Sequence, residues 1–185
     1  MTKKVLIPIV DGTEELEAVA IIDTLRRAGA EVTVASVQDL IIIGNCRTKI
    51  VADKLISKCL ETDWDMIVLP GGLPGSEYLR DSKELTDLLK KQAAAERYYA
   101  AICAAPVVVL QHHGLLKGRK ATVNPALAEK MENKDHLHER VVVDGNCITS
   151  QARGTALEFA VKLIELLYDK KKAEQIAAEM LLIQP

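Results

Sequence analysis

The alternation of strand and helix patterns at the start of the chain constrains its fold more than any other feature. Residues 3–10 are apolar and rich in branched side chains, which predicts a buried strand. An apolar-periodic helix follows to about Arg27, with Thr13 as its expected N-cap and Gly29 as its stop signal. Residues 31–37 have a second strand pattern. This order of elements predicts a right-handed parallel βαβ unit.

The remainder of the chain continues this alternation. Strand patterns occur at residues 41–43, 50–52, 66–69, 98–102, 120–123, 141–143 and 147–149, and the last two flank an Asp-Gly-Asn hairpin turn. Helix patterns occur at residues 83–96, from Pro106 onward, before Met131, and at 155–167 and 171–180. We therefore predict one α/β domain over residues 1–185, in which a mainly parallel sheet has helices on both faces as a three-layer sandwich.

Composition and charge narrow the classes of partner. The chain is 49% apolar and 27% charged, which is typical of a globular protein. Its formal net charge of −2 and its aromatic content of 3% give no electrostatic or stacking basis for binding nucleic acid. No apolar run approaches the roughly 20 residues that a bilayer span requires. We expect neither a nucleic acid nor a membrane as partner.

The cysteine pattern and the N-terminus indicate the compartment. The first residues lead directly into a strand pattern, so we expect no signal peptide. The four cysteines stand far apart and none belongs to a C-x-x-C pair, which disfavours a metal site or a thioredoxin-type motif. We expect a reduced, cytoplasmic protein. The alternative is an organelle such as the chloroplast, if a presequence was removed from a longer precursor.

One cysteine between a strand pattern and a helix pattern is the strongest chemical signal in the chain. Residues 98–102 lead into Cys103, small residues follow at once, and Pro106 suits the first turn of a helix. This pattern predicts a sharp strand–turn–helix elbow that leaves the thiol open to a ligand. A nearby helix N-terminus would favour the thiolate. The alternative is a small, buried core cysteine.

Two further loops are predicted to share one edge of the sheet with the Cys103 elbow, because the carboxyl ends of parallel strands line the ligand crevice of such folds. Glu17 lies among apolar residues, and a carboxyl group beside a thiolate can donate a hydrogen bond or transfer a proton. The glycine pair 71–72 would present N–H groups to a ligand oxygen. The alternatives are a dipole-favoured acid in the first helical turn, as we interpret Glu14 and Glu15, and glycines that only form a turn.

Several short motifs occur in an order and spacing that resemble the DJ-1/ThiJ/PfpI superfamily, specifically its DJ-1 branch. They are GTEELE at residues 12–17, LPGG at 69–72, AICAAP at 101–106, and TS at 149–150 with GT at 154–155. The resemblance covers essentially the whole chain, and residues 114–122 look most like plant members.

The resemblance implies a flavodoxin-like sandwich, a homodimer and an easily oxidised cysteine that acts without a cofactor. By this resemblance Cys103 is the reactive cysteine, and Glu17 is the protonated acid that stabilises its thiolate or sulfinate. The backbone at Gly72 and Ala104 would line a small anion-binding pocket.

The activity implied by the resemblance is a cofactor-independent glyoxalase that converts small dicarbonyls, methylglyoxal or glyoxal, to lactate or glycolate. Protein deglycation is a further implied activity. The alternative function is that of an oxidative-stress sensor or redox-regulated chaperone, in which oxidation of Cys103 matters more than turnover. In the glyoxalase interpretation the thiolate attacks the aldehyde carbon and Glu17 moves the protons.

Three positions depart from the family pattern. Asn124 stands where several DJ-1 members carry a histidine, and an amide can bind a ligand oxygen but cannot transfer a proton. Arg153 replaces the proline of a usual Gly-Pro-Gly, where it would narrow the pocket or favour acidic substrates and the thiolate. Ala105 replaces a usual glycine or serine. Peptidase relatives carry histidine directly after the cysteine, so Ala104 disfavours a Cys–His hydrolase. We expect weak glyoxalase turnover.

Overall fold

A seven-stranded sheet organises the chain in the computed structural model, which describes residues 2–182. The strands are β1 (Lys4–Ile9), β2 (Glu31–Ser36), β3 (Ile41–Ile43), β4 (Lys49–Val51), β5 (Lys54–Leu55), β6 (Met66–Leu69), β7 (Tyr98–Ile102), β8 (Val141–Asp144) and β9 (Cys147–Ser150). The strand order is β5-β2-β1-β6-β7-β9-β8, and all neighbours are parallel except β8 and β9. Strands β3 and β4 form a separate antiparallel pair.

The helices cover both faces of this sheet. They are α1 (Glu15–Arg27), α2 (Gly75–Asp81), α3 (Lys83–Ala94), α4 (Ala156–Leu167) and α5 (Lys170–Glu179), together with an elbow helix at Pro106–Gln111 that is wound as a π-helix. Short 3-10 turns lie at Ile56–Lys58, Pro125–Lys130 and Arg153–Thr155.

Alternate residues of the central strands feed two separate cores, because successive side chains of a strand point to opposite faces. Val5 and Ile7 of β1 pack with the apolar face of α1, represented by Leu25. Leu6 packs on the other side with Leu89 of α3. Helices α4 and α5 complete the first layer, and the elbow helix lies in the second. The predicted three-layer α/β sandwich with a mainly parallel sheet is confirmed.

Two local predictions are wrong, and side-chain hydrogen bonds explain both. Thr13 does not cap α1, whose N-cap is Glu14; the Thr13 hydroxyl instead accepts a hydrogen bond from the Val10 N–H and holds the turn after β1. Residues 120–123 form no strand. The Thr122 N–H donates to the Thr149 hydroxyl at 2.9 Å, so it bonds to a side chain where a strand residue would bond to the backbone of a neighbouring strand.

Other elements agree with prediction or extend it. The hairpin at residues 141–150 and the short β3–β4 pair are confirmed. Gly29 follows α1 with a φ of +89°, as a helix stop signal requires. Helix α2 and the two-residue strand β5 were not predicted. None of the helices in residues 2–182 combines the length and the apolar character that crossing a membrane demands.

Candidate active site

The elbow at Cys103 is a strained turn held at the carboxyl edge of the sheet. Strand β7 ends at Ile102, and Cys103 adopts a φ of +65°, which is unusual for a residue with a side chain. Its N–H donates to the Ser150 carbonyl of neighbouring β9 at 3.1 Å. Strain of this kind costs about 1–3 kcal/mol and persists only where the surroundings impose it. The predicted sharp bend is confirmed.

Glu17 reaches Cys103 from the first turn of α1. Its side chain is fully buried, and Oε2 accepts a hydrogen bond from the Gly71 N–H at 2.9 Å. A Cβ atom added to Gly71 would lie 2.5 Å from the Cys103 Cβ and 2.8 Å from the Glu17 Oε2. The thiol and the carboxyl group therefore crowd the same glycine, in agreement with the predicted placement of both residues.

Burial is the main cause that raises the pKa of both groups. Burial, followed by the charge of Glu17, raises the pKa of the Cys103 thiol to about 11. Burial also raises the pKa of Glu17 to about 7, although the hydrogen bond from Gly71 opposes the rise. The expected lowering of the thiol pKa is contradicted. The expectation of an open sulfur is also wrong, because Cys103 is only 5% exposed beneath the surrounding loops.

The reactive form is a tautomer of this pair. Two negative charges cannot share so dry a site, so the pair retains one proton over a wide pH range. When Glu17 holds that proton, its charge no longer repels the sulfur, and Cys103 is a thiolate. Glu17 Oε1 has no hydrogen-bond partner among residues 2–182, which leaves this oxygen able to carry and donate the proton.

Polar groups from two further loops surround the sulfur. The Asn124 side-chain amide donates to Sγ at 3.4 Å, while its main-chain N–H donates to the Cys103 carbonyl at 3.0 Å. The Gly72 N–H also favours the thiolate and lowers the Cys103 pKa against the dominant effect of burial. The Ala104 backbone follows directly in the elbow. Three of the predicted binding positions, Gly72, Ala104 and Asn124, therefore adjoin the sulfur.

Arg153 lies near enough to the pair for its charge to act on both Cys103 and Glu17. It begins the 3-10 turn after β9, and its Nη1 lies 3.3 Å from Oε2 of Glu14. The Glu14 side chain is 4% exposed and the Arg153 side chain 55% exposed, so the carboxylate is buried while the guanidinium faces solvent. Glu14 was not predicted to belong to the site. The sequence indicates it only by an acidic residue three positions before Glu17.

Glu15 anchors the β3–β4 pair to α1. Its carboxylate accepts N–H groups from Cys46 at 3.0 Å and Thr48 at 3.2 Å. Burial would raise the Glu15 pKa, but these backbone hydrogen bonds lower it below its ordinary value. Glu14, Glu15 and Cys46 bring possible metal-ligand atoms within 4.8 Å of one another. The backbone donors on Glu15 and the guanidinium on Glu14 already account for this cluster.

Comparisons with known proteins identify the family of this chain. A model of the DJ-1/PfpI family matches residues 3–166. Protein DJ-1 homolog B of Arabidopsis thaliana is 48% identical over 177 residues, which cover 95% of this chain and 40% of that relative. The chain thus spans less than half the length of this relative. A Caenorhabditis elegans protein named glutathione-independent glyoxalase DJR-1.2 is 32% identical over 93% of this chain and 91% of its own.

A solved structure described as oxidized Toxoplasma gondii DJ-1 has the same fold. It superposes with a TM-score of 0.95 and 49% sequence identity, covering 99% of this chain and 100% of that one.

Proposed function

This chain belongs to the DJ-1/PfpI family, and from that premise we propose that it is a cofactor-independent glyoxalase with Cys103 as nucleophile and Glu17 as acid and base. The substrate is a small dicarbonyl, methylglyoxal or glyoxal, and the product is lactate or glycolate. One observation supports this chemistry above the others: a buried thiol and a buried carboxyl group pack against one glycine at a strained elbow. The name of the C. elegans relative supports the same reaction class.

The first step forms a bond between sulfur and the aldehyde carbon. The Cys103 thiolate attacks that carbon, and the Glu17 proton passes to the new alkoxide, which gives a hemithioacetal and a Glu17 carboxylate. The Asn124 amide and the backbone N–H groups of Gly72 and Ala104 would stabilise the developing oxyanion.

The second step moves hydrogen between adjacent carbons. The Glu17 carboxylate takes the proton from the former aldehyde carbon to give an enediolate, and returns it to the neighbouring carbon. The hydroxyl proton on the former aldehyde carbon passes to the neighbouring oxygen, which leaves a thioester of Cys103. Water then attacks the thioester and releases the 2-hydroxy acid and the thiol. The aldehyde carbon is oxidised and the ketone carbon is reduced, so the reaction balances internally with water as its only co-reactant.

Methylglyoxal turnover by a small set of variants tests the proposal. We expect Cys103→Ser to abolish turnover and Glu17→Gln to reduce it by about 10²–10⁴-fold, the usual worth of acid–base catalysis. Cys46→Ser is the matched control, because Cys46 is an exposed free cysteine, and we expect it to retain wild-type activity. Turnover that survives Cys103→Ser would exclude this mechanism.

We expect the wild-type rate to lie at least about tenfold below that of a dedicated glyoxalase, equivalent to about 1.4 kcal/mol of barrier. Asn124 is the reason, because its amide cannot transfer a proton and leaves Glu17 as the acid and base of the site. A rate equal to that of a dedicated enzyme would contradict this assignment of roles.

The second candidate function is redox sensing through Cys103. The structural relative described as oxidized T. gondii DJ-1 favours it, and so does the unpartnered Glu17 Oε1, which can donate a hydrogen bond to a sulfinate oxygen once it is protonated.

Peroxide treatment followed by peptide mass mapping distinguishes the redox sensor from the glyoxalase. Rapid, selective conversion of Cys103 to the sulfinate without measurable dicarbonyl turnover would favour the sensor. Turnover without selective oxidation would favour the enzyme.

A homodimer in the cytoplasm completes the proposal. The exposed apolar side chains of α1 and of the β3–β4 pair supply a self-association surface. The four cysteines are free thiols, as expected in a reducing compartment. Microscopy of a tagged chain tests the location, and the oligomeric state is tested by the surface variant described in the Discussion.

A further inference from the structure

Arg153 is a basic side chain whose charge acts on Glu14, Cys103 and Glu17. It lies three residues beyond Ser150, whose carbonyl accepts the Cys103 N–H. Its turn is braced by the Thr155 hydroxyl, which contacts the Ser150 hydroxyl at 2.7 Å. The backbone at position 153 is therefore tied to the same strand end that holds the reactive elbow.

The Arg153 side chain extends across the pocket to the opposite loop. Its partner there is Glu14, at 3.3 Å, and the Glu14 N–H donates to the Gly71 carbonyl at 2.9 Å. Gly71 is the glycine that Cys103 and Glu17 both crowd. The guanidinium thus bridges the loop after β9 and the loop before α1, the two loops that hydrogen-bond to Cys103 and Gly71, and we call this position the pocket mouth. Its positive charge acts on Glu17, whose pKa it lowers against the larger, opposite effect of burial.

The local charges show what this guanidinium changes. Without it, a buried Glu14 carboxylate and Glu17 would make the pocket mouth acidic, and an anionic ligand would be repelled. The ion pair with Glu14 neutralises one of these charges but occupies only Nη1 among the contacts within residues 2–182. An arginine has five N–H donors in a planar fork that matches a carboxylate. Donors therefore remain for an anionic group on a ligand.

We propose that Arg153 selects 2-oxoaldehydes that carry a carboxylate, binding that carboxylate at the pocket mouth while the aldehyde reaches Cys103. This inference rests on the proposed glyoxalase function and names its substrate class. Methylglyoxal lacks such a group and leaves the guanidinium unused. The anionic substrate gains a charge-assisted hydrogen bond from it.

A substrate pair with and without the negative charge tests the selectivity, and the wild-type and variant enzymes are compared on both so that the added methyl group of the ester cancels. We compare kcat/KM for 4,5-dioxopentanoate with that for its methyl ester, in the wild type and in Arg153→Gln. The carboxylate-to-ester ratio of kcat/KM should fall by about tenfold or more in Arg153→Gln. The fall should come chiefly from a higher KM for the carboxylate, because one ionic hydrogen bond is lost. An unchanged ratio would overturn the proposal.

Arg140→Gln is the matched control. Arg140 donates to the Gly154 carbonyl and to Glu158, so its removal loosens the same turn without removing the charge at the pocket mouth. Its substrate ratio should equal that of the wild type. An equal fall in both variants would show that the turn, and not the guanidinium, determines selectivity, and would refute the proposal.

Alkylation of Cys103 tests Arg153 even if no dicarbonyl is turned over. Iodoacetate is anionic and iodoacetamide is neutral, and peptide mapping gives the rate ratio at each cysteine separately. At Cys103 the iodoacetate-to-iodoacetamide ratio should fall several-fold in Arg153→Gln, while at exposed Cys46 it should not change. If the wild type turns over no dicarbonyl but the Cys103 alkylation ratio still falls in Arg153→Gln, the glyoxalase proposal is rejected and the anion site is retained. Unchanged alkylation ratios would reject the anion site.

Discussion

At position 103 the backbone and the side chain are both held away from their relaxed states. The φ of +65° is imposed by the hydrogen bond to Ser150 and by the crowded glycine at 71. The thiol is buried beside a carboxyl group that shares its proton. Strain of this kind is characteristic of functional sites, since a packed core residue has no need of it. The chemistry of the elbow therefore depends on which partner holds the proton.

Replacement of Glu17 by glutamine should lower the pKa of the Cys103 thiol. The change removes the negative charge that repels the thiolate and places an amide donor beside the sulfur, while the burial that chiefly raises the pKa remains. The thiolate absorbance in the ultraviolet, titrated against pH, measures the effect. Glu129→Gln, an exposed carboxylate paired with Lys134, is the control and should leave the titration unchanged. A higher thiol pKa in Glu17→Gln would contradict the shared-proton description.

Gly72→Ala should strongly destabilise the fold. Gly72 has a φ of +100°, and a Cβ there would overlap the Gly12 carbonyl oxygen and lie 2.5 Å from the Glu14 nitrogen. We expect a loss of at least about 3 kcal/mol in urea-unfolding free energy, combining left-handed backbone strain with overpacking.

Gly114→Ala isolates the backbone strain. Gly114 has a φ of +74°, but nothing lies within 4 Å of an added Cβ. Gly114→Ala should lower the urea-unfolding free energy by about 1–2 kcal/mol, the cost of the left-handed conformation alone. If Gly72→Ala and Gly114→Ala lose equal unfolding free energy, the close packing around Gly72 does not contribute to the destabilisation.

Helix α1 and the β3–β4 pair act together as one surface element. The Gly12 N–H donates to the Ile43 carbonyl at 2.8 Å, and Glu15 binds the turn between the two strands. Large apolar side chains are exposed on both parts: Leu16, Val19, Ile41, Ile43 and Val51. An apolar patch that is rigidly held and exposed indicates an interaction site.

Val19→Glu should therefore convert the proposed homodimer to monomer, because a buried unpaired charge opposes association. Sedimentation analysis measures the change. Val143→Glu is the matched control, since Val143 is also exposed but lies on edge strand β8, at the other end of the sheet, and it should leave the dimer intact. A wild-type monomer, or dissociation by both variants, would contradict the assignment of this surface.

The stability of the whole molecule should fall as pH rises through neutrality. Glu17 has a pKa of about 7 when folded and 4.5 as the reference value. Between these values the folded protein keeps the proton that the unfolded chain has released, so raising the pH favours unfolding. The stabilisation that Glu17 protonation gives the folded protein is fully present below pH 4.5 and is lost above about pH 7. It amounts to about 3 kcal/mol of unfolding free energy.

Urea midpoints at pH 5 and pH 8 measure this loss. Glu17→Gln should remove most of the difference, because glutamine does not titrate. Glu129→Gln should preserve it, since ion pairing with Lys134 lowers the pKa of that carboxylate and places its titration below this window. A wild-type midpoint that rises from pH 5 to pH 8 would contradict the burial of a neutral Glu17.

Local patterns were sufficient for much of the fold and part of the site. The runs at residues 66–69 and 98–102 are short and apolar, and both form strands where expected. The elbow followed from Cys103 standing between a strand and Pro106. Residues 120–123 were predicted wrongly because the Thr122 N–H pairs with Thr149, 27 positions away, which no local pattern identifies. Thr13 was predicted wrongly because its hydroxyl binds the preceding Val10 N–H and not the helix that follows.

Most of the strands and helices, the elbow and the acid of α1 could be read from the sequence alone, since periodicity and turn chemistry act over a few residues. The tertiary structure alone decided the chemistry of the pocket. Glu14 and Arg153 meet across 139 positions of sequence, and the pKa of the thiol rises because distant segments bury it beside Glu17. Desolvation and charge pairing depend on distances between elements, which no local pattern contains.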